Sequence, residues 1–136
     1  MKYRFQEGLD TGKIVRIRID PALSRKELME AEADLRAAER SLSEGNVKWA
    51  IIQGYYAMFH SLRSRIFEKG YREKSHRCLR YAIEALLVDE GLLDRKVLED
   101  FSSAMDLREG ADYGSIYDEK SARSLIDAAR RTLAGQ

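Results

Sequence analysis

Arg108 and Asp112 stand where the local pattern calls for core. In "VLEDFSSAMDLREGADYG", Leu98, Phe101 and Met105 fall on one apolar stripe at helical spacing, and the next members of that stripe are Arg108 and Asp112. The two are four residues apart and can pair along one helix face. Burying such a pair costs on the order of several kcal/mol in desolvation, so it is a poor source of stability. Three readings follow. The helix turns away or ends early, with Gly110 weakening its last turn. The pair is structural and buried. Or it belongs to a polar pocket at one end of a helical assembly.

A second stretch carries charge. "KGYREKSHRCLR" holds Lys69, Arg72, Lys74, Arg77 and Arg80 against one acid, Glu73, with Tyr71 and Tyr81 beside them. Basic residues interleaved with aromatics can hold phosphates and stack bases. The plainer reading is a solvated loop and helix face. Either way it is the most anion-friendly surface of the chain, and Arg72, Lys74 and His76 are counted as ligand-binding candidates. Tyr56, His60 and Arg63, upstream, join them.

Other chemistries are poorly supported. Helical bundles hold carboxylate-bridged metals through paired Glu-x-x-His motifs. Here Glu73 and His76 give one such spacing with no second copy, and His60 has Ala57 three residues before it. No metal and no cofactor is expected. Cys78 follows His76 by two residues, which places them on different helix faces. A lone cysteine also excludes an internal disulfide framework. "EKGYREK" has one glycine and no preceding strand, so it is no phosphate loop.

The elements that must position these residues read as helices. The chain has one proline, Pro21, in 136 residues, and is rich in helix-forming Ala, Leu, Glu and Arg. A first predicted helix begins near Pro21 or Ser24 and ends before Gly45, with Leu28, Ala31, Leu35, Ala38 and Leu42 as its stripe. A second runs from about Asn46 to Lys69, with Ile52, Tyr55, Phe59, Leu62 and Ile66 inward. Its flanking face carries Trp49, Tyr56, His60, Arg63 and Phe67, so it should be the most buried helix and could offer a dimer surface. A third starts with Ser75 as N-cap, buries Leu79, Ala82, Ile83 and Leu86, and ends by Gly91. A fourth spans roughly Asp94 to Glu109, and a fifth about Asp118 to Leu133, with Ala122, Leu125, Ile126, Ala129 and Leu133 inward. Short connections imply antiparallel neighbours. The expected fold is all-α, an up-and-down bundle of about five helices over residues 21–136. Residues 1–20 are read as an arm or short β-hairpin, because "KIVRIRID" alternates as a strand does and "MKYRF" could pair with it across the Gly8 to Gly12 region.

Composition bounds the class. With 44% apolar and 35% charged residues and net charge +1, the chain is globular, and bulk charge does not demand nucleic acid. No apolar run approaches a membrane span and no signal-peptide pattern opens the chain, so a cytoplasmic protein is expected.

Two stretches resemble a known family. "AIIQGYYAMFHSLRSRIFEKGYREKSHRCLRYAI" resembles the second and third helices of HEPN-domain proteins, and "LREGADYG" resembles the end of their fourth. The run Tyr55, Tyr56, Met58, Phe59, His60 and the "KSH" at 74–76 carry the match. With "AEADLRAAERSLSEGN" it extends over roughly residues 25–134. The resemblance implies an up-and-down bundle, usually a homodimer, often encoded beside a minimal nucleotidyltransferase. Many family members are toxins that cut RNA without metal, using an arginine and then, after four to six residues, a histidine near the end of the fourth helix. By resemblance Arg108 is that arginine. The histidine would fall at 113, 114 or 115, which hold Tyr113, Gly114 and Ser115.

That departure has chemical content. Moving a 2′-hydroxyl proton near neutral pH suits histidine, with a pKa of about 6.5, far better than tyrosine, near 10. The leading expectation is a HEPN protein that binds nucleotide or RNA through Arg108 and Asp112. It would partner a nucleotidyltransferase in a toxin–antitoxin-like or stress-response system, with RNase activity lost or weak. The first alternative is an active metal-independent endoribonuclease using Arg108 with Tyr113, His60 or His76. The second is a purely structural adaptor dimer.

Overall fold

The computed structural model describes residues 2–135, which form six α-helices and one two-stranded sheet. The order is α1 (Lys2–Asp10), β1 (Ile14–Arg16), α2 (Pro21–Ser43), α3 (Val47–Glu68), β2 (Tyr71–Glu73), α4 (His76–Ile83), a π-helical turn (Glu84–Val88), α5 (Arg95–Tyr113) and α6 (Glu119–Ala134).

Local chemistry explains the boundaries. Asp20 caps α2 through Ala22 N–H at 3.0 Å, with Pro21 in the first turn, where its missing N–H costs nothing. Ser75 caps α4 by accepting from Cys78 N–H at 3.1 Å. Asp118 caps α6 through Ser121 N–H at 2.7 Å. Gly70, at φ 85°, reverses the chain from α3 into β2.

The core is built around α3, which packs on α2, α5 and α6. Ile52, Tyr55, Phe59, Leu62 and Ile66 are all buried, as their spacing requires. Its wide apolar circumference is covered largely within one chain. The α2–α3 seam departs from expectation. The buried face of α2 is Ser24, Glu27, Ala31, Ala38 and Ser41, while Leu28, Leu35 and Leu42 are half-buried on the flank. Small residues on both helices let the backbones approach closely, and Ser64 Oγ donates to the Ser24 carbonyl at 3.0 Å across the seam. Leu86 and Leu133, expected inward, are also half-buried and pack on the core edge.

The N-terminus is a correction. "KIVRIRID" does supply a strand, but only Ile14–Arg16, and its partner is not "MKYRF". Residues Lys2–Asp10 are helical, and Met1 lies outside the described residues. β1 pairs antiparallel with β2, Ile14 opposite Glu73, Val15 opposite Arg72 and Arg16 opposite Tyr71. Helix α1 folds back because Gly8 gives room to buried Ile14, where a Cβ would meet Ile14 Cδ1 at 2.6 Å, and because Phe5 packs edge-on against Tyr71 at 5.3 Å. The segment thus ties itself to the basic loop before α4.

α5 also runs further than expected. Gly110 does not end it; the helix continues to Tyr113, and the Gly110 carbonyl accepts both Gly114 N–H at 3.1 Å and Ile116 N–H at 2.9 Å. Arg108, Asp112 and Tyr113 therefore share one rigid element.

Candidate functional site

Four chain segments converge at the end of the bundle where α3, β2, α4 and α5 meet. The centre is Tyr55, wholly buried on α3. Its ring stacks with Phe101 and with His76, in each case at 5.6 Å between centroids, and its hydroxyl lies 2.5 Å from His76 Nδ1. The His76 ring also lies 4.5 Å from that of Phe59 and is approached edge-on by Tyr56. The guanidinium of Arg108 sits 5.3 Å from the centre of the Tyr55 ring and 5.8 Å from that of Tyr113. The Arg108 side chain is only 12% exposed, and its Nη1 donates to Asp112 Oδ2 at 3.4 Å. Its Nε is buried with no hydrogen-bond partner among the described residues.

This resolves the stripe. The helix does not end early, and the pair is not fully buried, because the Asp112 side chain is 36% exposed. The Arg108 guanidinium takes a core position by lying on an aromatic face, which accepts its charge and its flat shape.

A second layer sits along α3. Arg63 bridges two buried carboxylates, donating from Nε to Glu73 and from Nη1 to Glu27, each at 3.0 Å. Its guanidinium also lies over Phe59 and Phe67. His60 Nδ1 meets Glu27 Oε2 at 3.1 Å, and its Nε2 lies 3.8 Å from Asp34. The two carboxylates respond differently. Burial pushes Glu27 up, but the His60 hydrogen bond and charge, with Arg63, outweigh it and hold the carboxyl below its usual range. Glu73 is buried more deeply, so desolvation prevails over the Arg63 charge and hydrogen bond, its backbone hydrogen bond and the Arg72 charge, and its carboxyl is raised.

Beside this layer lies an open groove of about 650 Å³, walled by Val15, Ile17, Phe59, Arg63, Glu73 and His76. Arg72 and Lys74 also line it and are exposed. Arg108 stands next to the groove rather than in its wall, joined to it through Tyr55 and His76. It is near enough for its charge to act on His76. Burial first, then the Arg108 and Arg63 charges, lower the His76 pKa below its ordinary value, so the imidazole is neutral at neutral pH.

Of the candidates named from sequence, the structure brings Tyr56, His60, Arg63, His76 and Arg108 into one cluster, with Arg72 and Lys74 on the adjoining groove and Asp112 and Tyr113 beyond Arg108. Tyr113 is 78% exposed. His60 is engaged at Nδ1 by Glu27, while its Nε2 stands 3.8 Å from Asp34, beyond hydrogen-bond distance. Tyr55, Glu27 and Glu73 were missed as site residues. Glu27 had a readable signal, since it lies on the small-residue face of α2 between Ser24 and Ala31. Among the described residues no group of acids, histidines and cysteine is arranged to hold a metal, and no helix is long and apolar enough to cross a membrane.

The chain is similar in sequence and in fold to known proteins. The family model for the HEPN domain matches residues 25–134. A UPF0332 protein of Archaeoglobus fulgidus is 34% identical over 94 residues, spanning 69% of this chain and 74% of that one. The crystal structure of TT1696 from Thermus thermophilus superposes with a TM-score of 0.69 at 20% identity, over 82% of this chain and 94% of that one. The last likeness concerns the fold alone. By the extent of the domain match and the curated relative, this chain belongs to the HEPN domain family.

Proposed function

We propose that this HEPN protein binds RNA, or the phosphate of a nucleotide, at the surface running from Arg72 and Lys74 past His76 to Arg108, with its RNase activity lost or weak. The observation that carries the reading is Arg108: a guanidinium whose buried Nε has no hydrogen-bond partner among the described residues, beside a neutral imidazole, in a chain with Tyr113 at the first position where the family pattern calls for histidine. Arginine suits phosphate by charge and by its planar donors. Exposed Tyr113 offers a face on which a base can stack. By family habit the protein works in the cytoplasm as a homodimer and partners a minimal nucleotidyltransferase in a toxin–antitoxin-like or stress-response setting.

The test is titration of a fluorescent single-stranded RNA with the purified chain at low salt, with the same mixture run on a denaturing gel without metal. Saturable binding and intact RNA support the reading, and absence of binding at low salt ends it. Co-purification with a co-expressed minimal nucleotidyltransferase tests the partnership separately.

One observation favours a second reading, cleavage by Arg108 with His76. The structure brings these residues to the same aromatic ring from different helices, and a neutral histidine is the form a general base requires.

A further inference from the structure

The choice between those readings turns on which nitrogen of His76 carries the proton. This inference rests on the phosphate-binding reading and deepens it. We propose that Tyr55 fixes neutral His76 as the tautomer protonated on Nε2, so that His76 meets a phosphate oxygen as a hydrogen-bond donor beside Arg108 and has no free lone pair with which to deprotonate a 2′-hydroxyl.

Hydrogen-bond supply decides the tautomer. Neutral imidazole has one N–H donor and one lone-pair acceptor. The Tyr55 side chain is fully buried, so its hydroxyl hydrogen needs an acceptor inside the protein. His76 Nδ1 lies 2.5 Å away. The phenol therefore donates and Nδ1 accepts. Burial raises the Tyr55 pKa far above its ordinary value, so the phenol keeps its proton. The imidazole proton is then on Nε2, across the ring from the nitrogen that Tyr55 engages, and half-buried His76 is one of the residues that line the groove.

Protonating the ring does not rescue a base. The imidazolium would carry N–H on both nitrogens, and Tyr55 would have to accept from Nδ1 while turning its own hydrogen away from its acceptor. The charges around His76 oppose that step. Arg108 on α5 and Arg63 and His60 on α3 disfavour a further positive charge, and Glu109 on α5 favours it. Glu73, Lys74 and Arg72 on β2 and the turn after it flank the groove, the acid already engaged by Arg63. Tyr56 on α3 meets the ring by its edge.

Two donors, one charged and one neutral, thus serve a phosphate, and His76 itself offers the sugar no acceptor. The chemistry recognised is a phosphodiester or phosphomonoester oxygen. Tyr55 is a positioning residue: it acts only through His76.

The experiment has an arm independent of RNA. Long-range proton–nitrogen correlation of the isotope-labelled full chain at neutral pH reads the tautomer directly, and with two histidines in the chain, His76→Gln assigns the signals. The expected pattern is an unprotonated Nδ1 and a protonated Nε2. In Tyr55→Phe, which keeps the stacked ring, the expected result is loss of the single tautomer and a rise of the His76 pKa, because the hydrogen bond that favours the neutral ring is gone, while burial and the Arg108 and Arg63 charges still hold it below its ordinary value. A proton on Nδ1 in the wild type, or an unchanged tautomer and pKa in Tyr55→Phe, overturns the proposal. With labelled single-stranded RNA, His76→Ala should weaken binding about 3- to 10-fold per folded molecule, as loss of a neutral hydrogen bond does. His76→Gln, whose amide N–H stands near the Nε2 position, should restore it to within about twofold of wild type. Equal loss in both variants overturns the donor role. Failure of the wild type to bind RNA while the tautomer stands as described removes the RNA reading and leaves the Tyr55–His76 assignment intact.

Discussion

The Arg108 guanidinium lies 5.3 Å from the centre of the Tyr55 ring, on a tyrosine with no exposed surface. A cation held this way is pre-positioned: its rotamers are spent on the aromatic face before any ligand arrives. Arg108 therefore differs from Arg72, which stands exposed on the groove rim.

Arg108→Ala should weaken RNA binding roughly 10- to 150-fold, since charge-assisted hydrogen bonds contribute about 1.5–3 kcal/mol. Its effect on melting temperature should be small, because its partner Asp112 can hydrate once released. Arg72→Ala should cost less affinity, and that loss should fade as salt is raised. Measuring melting temperature and affinity on one Arg108→Ala preparation decides the matter. A large drop in melting temperature with unchanged affinity would make Arg108 structural.

Arg63 should behave in the opposite way. Its side chain is 17% exposed and holds Glu27 and Glu73, whose side chains are 9% and 4% exposed. Arg63→Ala orphans buried Glu73 and leaves Glu27 to His60, and breaking a buried pair costs about 3–5 kcal/mol. Denaturant unfolding at neutral pH should show that loss. Because the orphaned Glu73 carboxylate is stabilised by protonation, the deficit should shrink as the pH is lowered.

The pH profile follows from the signs of the shifts. His76 has a folded pKa depressed below 6.5, so the stability it contributes is present above about 6.5 and lost as pH falls through the folded pKa. Glu27, also depressed, contributes above about 4.5 and loses that at lower pH still. Glu73 has a raised pKa and works against both, gaining as it protonates. The His76 part is isolated by comparison with His76→Gln. Between neutral pH and pH of about 5, wild type should lose more melting temperature than the variant. Parallel curves for the two proteins would contradict the depressed pKa.

Much of this was legible in the sequence, and the misses share a cause. Helices α2, α3 and α6 declared themselves through period, proline, glycine and caps, all of which are local. Arg108 declared itself by breaking its own stripe. Tyr55 was placed correctly in the core, yet its chemical role was hidden. A buried tyrosine looks like any packing aromatic until its hydroxyl partner is known, and that partner lies 21 residues away. The same holds for the pairing of β1 with β2, and for Arg63 with Glu27, 36 residues apart. α1 was misread because "MKYRF" is too short to show a period, and Gly8 looked like a turn when it serves a close approach to Ile14.

Glycine gives the last prediction, with opposite signs at two positions. Gly54 sits on α3, where an added Cβ would lie 2.4 Å from Leu125 Cδ2 on α6. That contact is too short, so Leu125 must leave its position or α6 must move. Both Gly54 and Leu125 are buried, and overpacking a core typically costs about 1–3 kcal/mol. Tyr55 is the next residue, so the same shift should also weaken RNA binding. Gly110 is different. It lies inside α5, takes no positive φ, and a Cβ there would meet the Ile116 carbonyl at an ordinary 3.5 Å. Alanine removes the entropic weakness of glycine in a helix interior, a gain of about 0.5–1 kcal/mol. Gly54→Ala should therefore lower and Gly110→Ala raise the denaturation midpoint, with RNA affinity falling in the first and held in the second. If Gly110→Ala destabilises, the end of α5 is not the continuous helix that carries Arg108, Asp112 and Tyr113 together, and the geometry of the phosphate site fails with it.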